Sequence, residues 1–150
     1  MIGSKSGRMD VVTGLVRSSF LVSAVYTESA REYGITAQQG QLLCVLMSQS
    51  YGMTELGAVL GLAKSSLTGL VDRTTQRGFL RRVPDPDDAR AVWIELTPVG
   101  RELAERFYDE TCRRIDELPG GLNPRERAQL AALLERVVTD NRVPMVFGDR

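Results

Sequence analysis

Two short helical segments separated by a turn that contains one glycine restrict the fold of this chain more than any other part of its sequence. Thr54 can cap a first short helix, and Gly61 breaks it. A second helix is expected over about residues 64–77, where Gly78 ends it. Two short helices around a glycine-containing turn form the helix-turn-helix pattern.

The hydrophobic period changes after Gly78, from helical to alternating. Residues 80–83 and 90–96 are expected to be extended, and the second of these segments alternates Val92, Ile94 and Leu96 with Ala91, Trp93 and Glu95. The segment between them, residues 84–88, reads PDPDD, a turn-forming sequence that no central strand could accommodate. The sequence therefore predicts a two-stranded wing.

Longer helices are predicted on both sides of this unit. Apolar residues recur at helical spacing over residues 9–33, and Thr36 with Gln39 predicts a capping box for a helix to about Gln49. On the other side, caps at Thr97-Pro98 and Asn123-Pro124 open two more helices, the first reaching about Leu118 and the second ending before Pro144.

This order of elements predicts one domain over residues 1–150, mainly α with a small two-stranded β wing. We place a winged helix-turn-helix lobe at about residues 36–97 and the flanking helices at about residues 9–33 and 98–143. The flanking helices are long and apolar, and alone they would expose a large apolar surface. A two-fold homodimer would bury it and place two recognition helices about 34–36 Å apart, which fits a pseudo-palindromic DNA site.

Composition argues against several classes of protein. The chain has no histidine, which excludes serine triads, cysteine–histidine dyads and HExxH zinc sites, so we expect neither an enzyme nor a bound cofactor. Cys44 and Cys112 are too few for a zinc cage or a disulfide framework. Residues 1–10 lack the apolar core of a signal peptide, and no apolar run approaches the roughly 20 residues that span a bilayer. A cytoplasmic protein that does not enter the membrane is expected.

Charge is distributed unevenly, although the net charge is zero. Residues 64–82 carry five basic side chains against Asp72 alone, a local balance of +4, and the five are Lys64, Arg73, Arg77, Arg81 and Arg82. A clustered positive strip is typical of a surface that binds phosphates.

The residues that could contact DNA lie at the start of the second short helix and near the tip of the wing. Lys64 supplies charge, the hydroxyls of Ser65, Ser66 and Thr68 can bond to phosphates or base edges, and Leu67 faces the other way. The Arg90 guanidinium could reach into a narrow minor groove, and Asp88 could hold Arg90 in place.

Taken together, the segments VDR…RGFLRR at residues 71–82 and DAR…LTPVGR at residues 88–101 resemble the MarR family of bacterial winged-helix transcriptional regulators. The resemblance implies a dimer that pairs its terminal helices and binds double-stranded DNA. It implies that Ser65, Ser66 and Thr68 enter the major groove, that Arg73 and Arg77 approach the DNA backbone, and that Arg90 is the wing arginine. It also implies a repressor that a small aromatic or phenolic effector releases.

Three residues depart from the family pattern. Ala63 stands where a capping Asp or Ser is common, and Thr74 replaces an expected leucine on the inward face. Gly69 is expected to loosen the second short helix. Tyr26, Tyr33, Met47 and Trp93 could line an effector pocket, but such residues at helical spacing more often belong to a core.

Other interpretations stay open at this point. A winged-helix dimer could bind a partner protein instead of DNA, an alternative supported by the zero net charge. A redox-sensing regulator would need a reactive cysteine, but Cys44 and Cys112 are both expected to pack as small hydrophobic residues. The aspartates of the wing do not match a calcium-binding loop, because Ala89 stands where a third ligand is needed, so we interpret them as a solvated turn.

Overall fold

The computed structural model describes residues 8–143, which form six helices and three strands. In chain order these are α1 (Val11–Glu32), α2 (Ala37–Leu46), β1 (Tyr51–Gly52), α3 (Met53–Leu60), α4 (Lys64–Gln76), β2 (Leu80–Pro84), β3 (Val92–Leu96), α5 (Pro98–Glu117) and α6 (Pro124–Asp140). The outer ends of the predicted domain and most of the segment tested for a signal peptide lie outside the described residues. No helix among residues 8–143 has the length and apolar character that crossing a membrane requires.

Side-chain caps fix the starts of the long helices. The Thr36–Gln39 capping box is confirmed, with hydrogen bonds of 3.1 and 3.0 Å that satisfy both backbone N–H groups. The predicted caps at Thr97 and Asn123 are also confirmed. Helix α1 starts two residues later than the apolar pattern suggested, because the Asp10 carboxylate accepts the Thr13 N–H and makes Asp10 the N-cap.

The start of α3 corrects one prediction. Thr54 does not cap this helix; the N-cap is Gly52, which makes no side-chain hydrogen bond, and the helix begins at Met53. The physical reason is that Tyr51 and Gly52 are held extended as strand β1, so the chain can turn into a helix only after them. Helix α2 also ends earlier than expected, at Leu46 and not at about Gln49, before the chain becomes extended at Tyr51.

The strands form an antiparallel sheet in the order β1-β3-β2. The predicted wing is the β2–β3 hairpin, in which Arg82 lies opposite Ile94, and the predicted mainly α fold is confirmed. The third strand, β1, pairs Tyr51 with Ile94 on the other side of β3. Pro84 ends the edge strand β2, a position where the missing N–H is tolerated.

The core joins the helix-turn-helix to α1 and α5 through α2. Its fully buried side chains come from all of these elements and include Leu42, Leu43, Leu46, Leu56, Leu67, Leu70, Val71, Ile94 and Phe107. The Phe107 ring lies between the rings of Tyr26 and Tyr33, with centroid distances of 6.0 and 6.4 Å. A buried hydrogen bond of 2.9 Å from the Thr111 hydroxyl to the Ser29 hydroxyl also connects α5 to α1.

Two helical surfaces in the described chain are apolar and exposed. The first is on the N-terminal half of α1 and comprises Val11, Val12, Leu15, Val16, Phe20 and Leu21. The second is on α6, which has no buried residue, and comprises Leu130, Leu133, Leu134, Val137 and Val138. The start of α6 is held to the end of α5 by Arg127, whose guanidinium donates to the Asp116 carboxylate and to the backbone carbonyls of Asp116 and Pro119.

Gly40 permits the close approach of α2 to α5, and its substitution should destabilise the fold. A Cβ at Gly40 would overlap the buried Phe107 ring, so Gly40→Ala is expected to lower the free energy of unfolding by about 1–3 kcal/mol. Gly14→Ala is the matched control, because the same methyl group meets nothing within 4 Å in α1 and should be neutral or stabilising by up to about 1 kcal/mol. Urea unfolding of both variants tests this, and equal effects would show that the Gly40–Phe107 contact does not constrain the core.

Candidate nucleic-acid interface

The exposed face of α4 carries the polar residues that the sequence singled out. Lys64, Ser65, Ser66 and Thr68 are exposed in its first two turns, whereas Leu67, Leu70 and Val71 are buried against the core. The separation follows from helical spacing, which places residues 67, 70, 71 and 74 on one side. Gly61, with a φ of +65°, supplies the left-handed turn that sets α3 and α4 against each other.

The hydroxyls on this face differ in what they can offer a ligand. The Thr68 hydroxyl donates to the Lys64 carbonyl at 2.8 Å, so its remaining capacity is as an acceptor. In the described structure the Ser65 and Ser66 hydroxyls make no hydrogen bond, so each can donate as well as accept. The two serines are therefore the more versatile contacts.

The N-terminus of α4 is uncapped by any side chain. Ala63 occupies the N-cap and makes no side-chain hydrogen bond, which leaves the first backbone N–H groups of the helix without a side-chain partner. The positive end of the helix dipole lies at the same point as Lys64. The departure at Ala63 thus leaves donors available to an anion, as a phosphate contact requires.

Thr74 is fully buried, as its position on the inward face predicted. Its hydroxyl has a hydrogen-bond partner, so its burial leaves no polar group unsatisfied. The hydroxyl donates to the Leu70 carbonyl at 2.7 Å. A buried hydroxyl that bonds within its own helix is compatible with the apolar surroundings.

Only part of the basic strip remains unpaired in three dimensions. Arg82 of β2 forms an ion pair with Asp72 of α4, and Arg81 forms one with Glu95 opposite it on β3. Arg77 donates to the Gly34 carbonyl at the end of α1, and its guanidinium lies 5.0 Å from the centre of the Phe79 ring. The excess of positive charge counted along residues 64–82 is therefore partly offset by contacts within the fold.

The exposed cations near α4 and the wing whose side chains form neither an ion pair nor a hydrogen bond within residues 8–143 are Lys64, Arg73 and Arg90. Arg77 follows the last residue of α4, about 20 Å along the helix axis from Lys64 at 1.5 Å per residue. The structure thus places Arg77 at the opposite end of the helix from the serines. Its approach to the DNA backbone stays a prediction.

The wing tip is ordered by its aspartates. The Asp88 carboxylate accepts the backbone N–H of Arg90 at 3.0 Å, and the Asp88 carbonyl accepts the N–H of Ala91. Asp85 accepts the N–H of Asp87 at 2.8 Å and a hydrogen bond from Trp93, and these bonds lower the pKa of its carboxyl. Asp88 therefore positions Arg90 through its backbone and not through its guanidinium, which stays exposed. The aspartates do not assemble a metal site, and no group in the described part of the chain has the ligands for one.

The chain is similar to known proteins in both sequence and fold. A MarR family model matches residues 33–91. The multiple antibiotic resistance protein MarR of Salmonella typhimurium is 32% identical over 106 residues, which cover 69% of this chain and 74% of that protein. This chain belongs to the MarR family.

Solved structures show the same fold. Wild-type apo MarR from E. coli has a TM-score of 0.79 and 25% identity, covering 89% of this chain and 99% of that one. Bordetella bronchiseptica BpsR, whose DNA binding is regulated by 6-hydroxynicotinic acid, has a TM-score of 0.73 and 27% identity, covering 90% of this chain and 97% of that one. The relatives of this MarR-family chain are transcriptional regulators and not enzymes.

A small cavity lies among α1, α2 and α3 of the MarR fold. Its volume is about 210 Å³, and it is lined by Tyr26, Gln41, Cys44, Val45, Val59 and Leu60. Of the aromatic and methionine residues considered from the sequence, Tyr26 lies in this wall, whereas Tyr33 packs on Phe107 and donates its hydroxyl to the Arg106 carbonyl. The sequence analysis did not identify Gln41 as a residue of this cavity, because nothing in a linear sequence distinguishes a single exposed glutamine as a cavity residue.

The cysteines of this MarR-family chain differ in environment. Cys44 is buried in α2, and burial raises the pKa of its thiol to about 12. Because the thiolate is the reactive form, Cys44 is protonated and unreactive near neutral pH. Cys112, on α5, is half-buried. The expectation that Cys44 packs as a small hydrophobic residue is confirmed by its burial.

Proposed function

We propose that this protein is a homodimeric repressor that binds a pseudo-palindromic DNA site in the cytoplasm and is released by a small aromatic or phenolic acid. The observation that carries the DNA-binding proposal is the exposed start of α4, where Lys64, Ser65 and Ser66 stand beside free backbone donors. A helix of this kind fits the major groove, and the N-terminal residues of a recognition helix contact base edges.

The wing supplies the second contact. Arg90 is exposed and unpaired in the described chain, and its backbone is fixed by Asp88. A guanidinium inserted into a narrow minor groove is attracted by the enhanced negative potential there. Asp85, Asp87 and Asp88 precede Arg90 in the same loop, and their charges repel phosphates, so we expect attraction to DNA at the wing to come from Arg90.

The apolar surfaces of α1 and α6 support the dimer. Exposed rows of Leu, Val and Phe on two long helices are unfavourable in water, and contact with the same rows of a second copy of the chain would bury them. We therefore propose that residues 9–33 and 98–143 form the dimer interface and that residues 36–97 form the DNA-binding lobe.

Arg90→Ala tests the DNA-binding proposal. We expect the variant to bind about tenfold more weakly to every duplex the protein recognises, because a contact made through groove shape is lost, whereas Ser65→Ala should change base preference. Fluorescence anisotropy on duplexes selected by the parent protein, over a range of salt concentrations, measures both effects. Arg8→Ala is the control, since Arg8 is exposed and lies outside both the proposed DNA-binding lobe and the proposed dimer interface.

Two results would contradict this assignment. Unchanged affinity of Arg90→Ala would remove the wing contact from the proposal. Phosphate binding depends steeply on salt and is strongest at low salt, whereas a protein interface depends on salt less. Failure of the parent to bind any duplex at low salt would therefore favour a protein partner.

Leu133→Asp tests the dimer. A carboxylate in the exposed apolar row of α6 should convert the dimer to a monomer at micromolar concentration, with a loss of DNA affinity of more than tenfold because one half-site is lost. Ala132→Asp places the same charge on the other side of α6 and should leave the dimer intact. Sedimentation velocity gives the masses, and a monomeric parent would refute the proposal directly.

The cavity among α1, α2 and α3 supports an effector site. Its volume suits a single-ring acid, its walls are mostly apolar, and Tyr26 and Gln41 contribute polar groups. Because it borders α3 of the helix-turn-helix, a ligand that binds one arrangement of these helices more tightly shifts the equilibrium between DNA-competent and incompetent dimers. BpsR, the relative regulated by 6-hydroxynicotinic acid, provides a first probe of suitable chemistry.

Filling this cavity should abolish the effector response. We expect at least one of salicylic, 4-hydroxybenzoic and 6-hydroxynicotinic acids to weaken DNA binding of the parent by more than tenfold at millimolar concentration. Val59→Trp, which fills the cavity, should bind DNA but ignore the acid, and Val59→Ala serves as the control that leaves the cavity open. Equal responses of the parent and Val59→Trp would place the effector elsewhere, and no response to any acid would contradict release by this class.

A further inference from the structure

Gly69 occupies the exposed face of α4 at a point where a glycine costs helix stability. It lies one turn after Ser65 and one turn before Arg73, so these three residues form a single row along the helix. A glycine within a helix is less favourable than alanine by about 1 kcal/mol. The row faces away from buried Leu67 and Leu70, so core packing does not require a small residue there.

The space left by Gly69 is occupied by the Arg73 guanidinium. A Cβ built at Gly69 would stand 3.0 Å from Nη1 and 3.9 Å from Cζ of Arg73. The arginine head group therefore lies back along α4, toward the N-terminal end of the helix and the Ser65 hydroxyl. Side chains on a helix tilt in this direction, and the missing side chain at residue 69 lets this one lie flat.

Arg73 is available for an external contact in this position. It is exposed and forms no ion pair with any described residue, unlike Arg81 and Arg82, whose charges are met by Glu95 and Asp72. A guanidinium lying among the groove-facing residues can donate two parallel hydrogen bonds to one base edge, and guanine offers two acceptors in the matching geometry.

We infer that Arg73 reads a base in the major groove, and that Gly69 is a positioning residue that leaves room for its guanidinium on the base-reading face. The inference rests on the proposed DNA-binding function. It differs from the expectation that Arg73 only approaches the phosphate backbone, which would give affinity without sequence preference.

The experiment compares single variants and a double-variant cycle on DNA. The parent protein first selects its preferred sequence from a pool of random duplexes. Affinities of the parent, Arg73→Ala, Gly69→Val and the double variant are then measured for the selected duplex and for every single-base change in it. Gly69→Ala provides a smaller obstruction, and thermal unfolding checks that each variant is folded.

Arg73→Ala should lose about 10- to 100-fold in affinity for the selected duplex and lose discrimination at one base pair only. Gly69→Val should reproduce the loss of discrimination at that base pair, with a smaller effect for Gly69→Ala. In the Arg73→Ala background Gly69→Val should have no further effect, because it acts through the arginine.

Three results would overturn the inference. A uniform loss across all duplexes, with a reduced salt dependence, would assign Arg73 to a phosphate. A loss from Gly69→Val that persists without Arg73 would show that DNA itself approaches the glycine. If the parent selects no sequence and binds no duplex, the proposed function fails and this inference fails with it, whereas the first two results leave DNA binding intact.

Discussion

The packing of Phe107 against Gly40 holds the long helices to the winged helix-turn-helix. The ring is fully buried, it lies between Tyr26 and Tyr33, and a single methyl group on Gly40 would overlap it. Through this contact α5 is fixed to α2, and α2 in turn packs against α1 and α4. The orientation of the recognition helix relative to the apolar surfaces of α1 and α6 therefore depends on how closely α2 and α5 approach.

This arrangement connects the proposed effector cavity to the recognition helix. Gln41, Cys44 and Val45 line the cavity from α2, while the opposite side of the same helix forms the core with Leu42, Leu43 and Leu46. Close-packed interiors transmit displacement instead of absorbing it. A ligand that moves α2 against the Phe107 contact would thus also move α4, and in a dimer such a movement would change the spacing of the two recognition helices.

Much of the fold could be predicted because its signals are local. The capping pairs Thr36–Gln39 and Asn123–Glu126 need only residues three positions apart, and the helix-turn-helix is marked by glycine and apolar spacing. Strand β1 could not be found this way, because two residues show no alternation and their partner, β3, lies about forty positions later. The missing strand also explains the misplaced start of α3, since an extended Gly52 removes Thr54 from the cap position.

The sequence predicted which side chains of the candidate site are exposed, but it did not predict which of the arginines form ion pairs. Helical spacing separates Ser65 and Ser66 from Leu67, and the structure keeps that separation. The partners of Arg81 and Arg82 depend on tertiary geometry: one is a cross-strand neighbour and the other lies on α4. A count of charges along the chain therefore overstates the positive surface, and the role of Arg77 as a contact to the Gly34 carbonyl was invisible for the same reason.

The small number of unpaired cations near α4 and the wing has a consequence for how such a protein would find its site. Non-specific binding to DNA is supplied almost entirely by charge, so zero net charge and three aspartates in the wing loop would make long-range attraction to DNA weak. In the proposed complex, discrimination would then depend on contacts that form only when α4 lies in the groove, such as those from the serine hydroxyls. The ion pairs of Arg81 and Arg82 would lower the affinity of the proposed complex for all DNA alike, and would so raise the share of the binding free energy that depends on sequence.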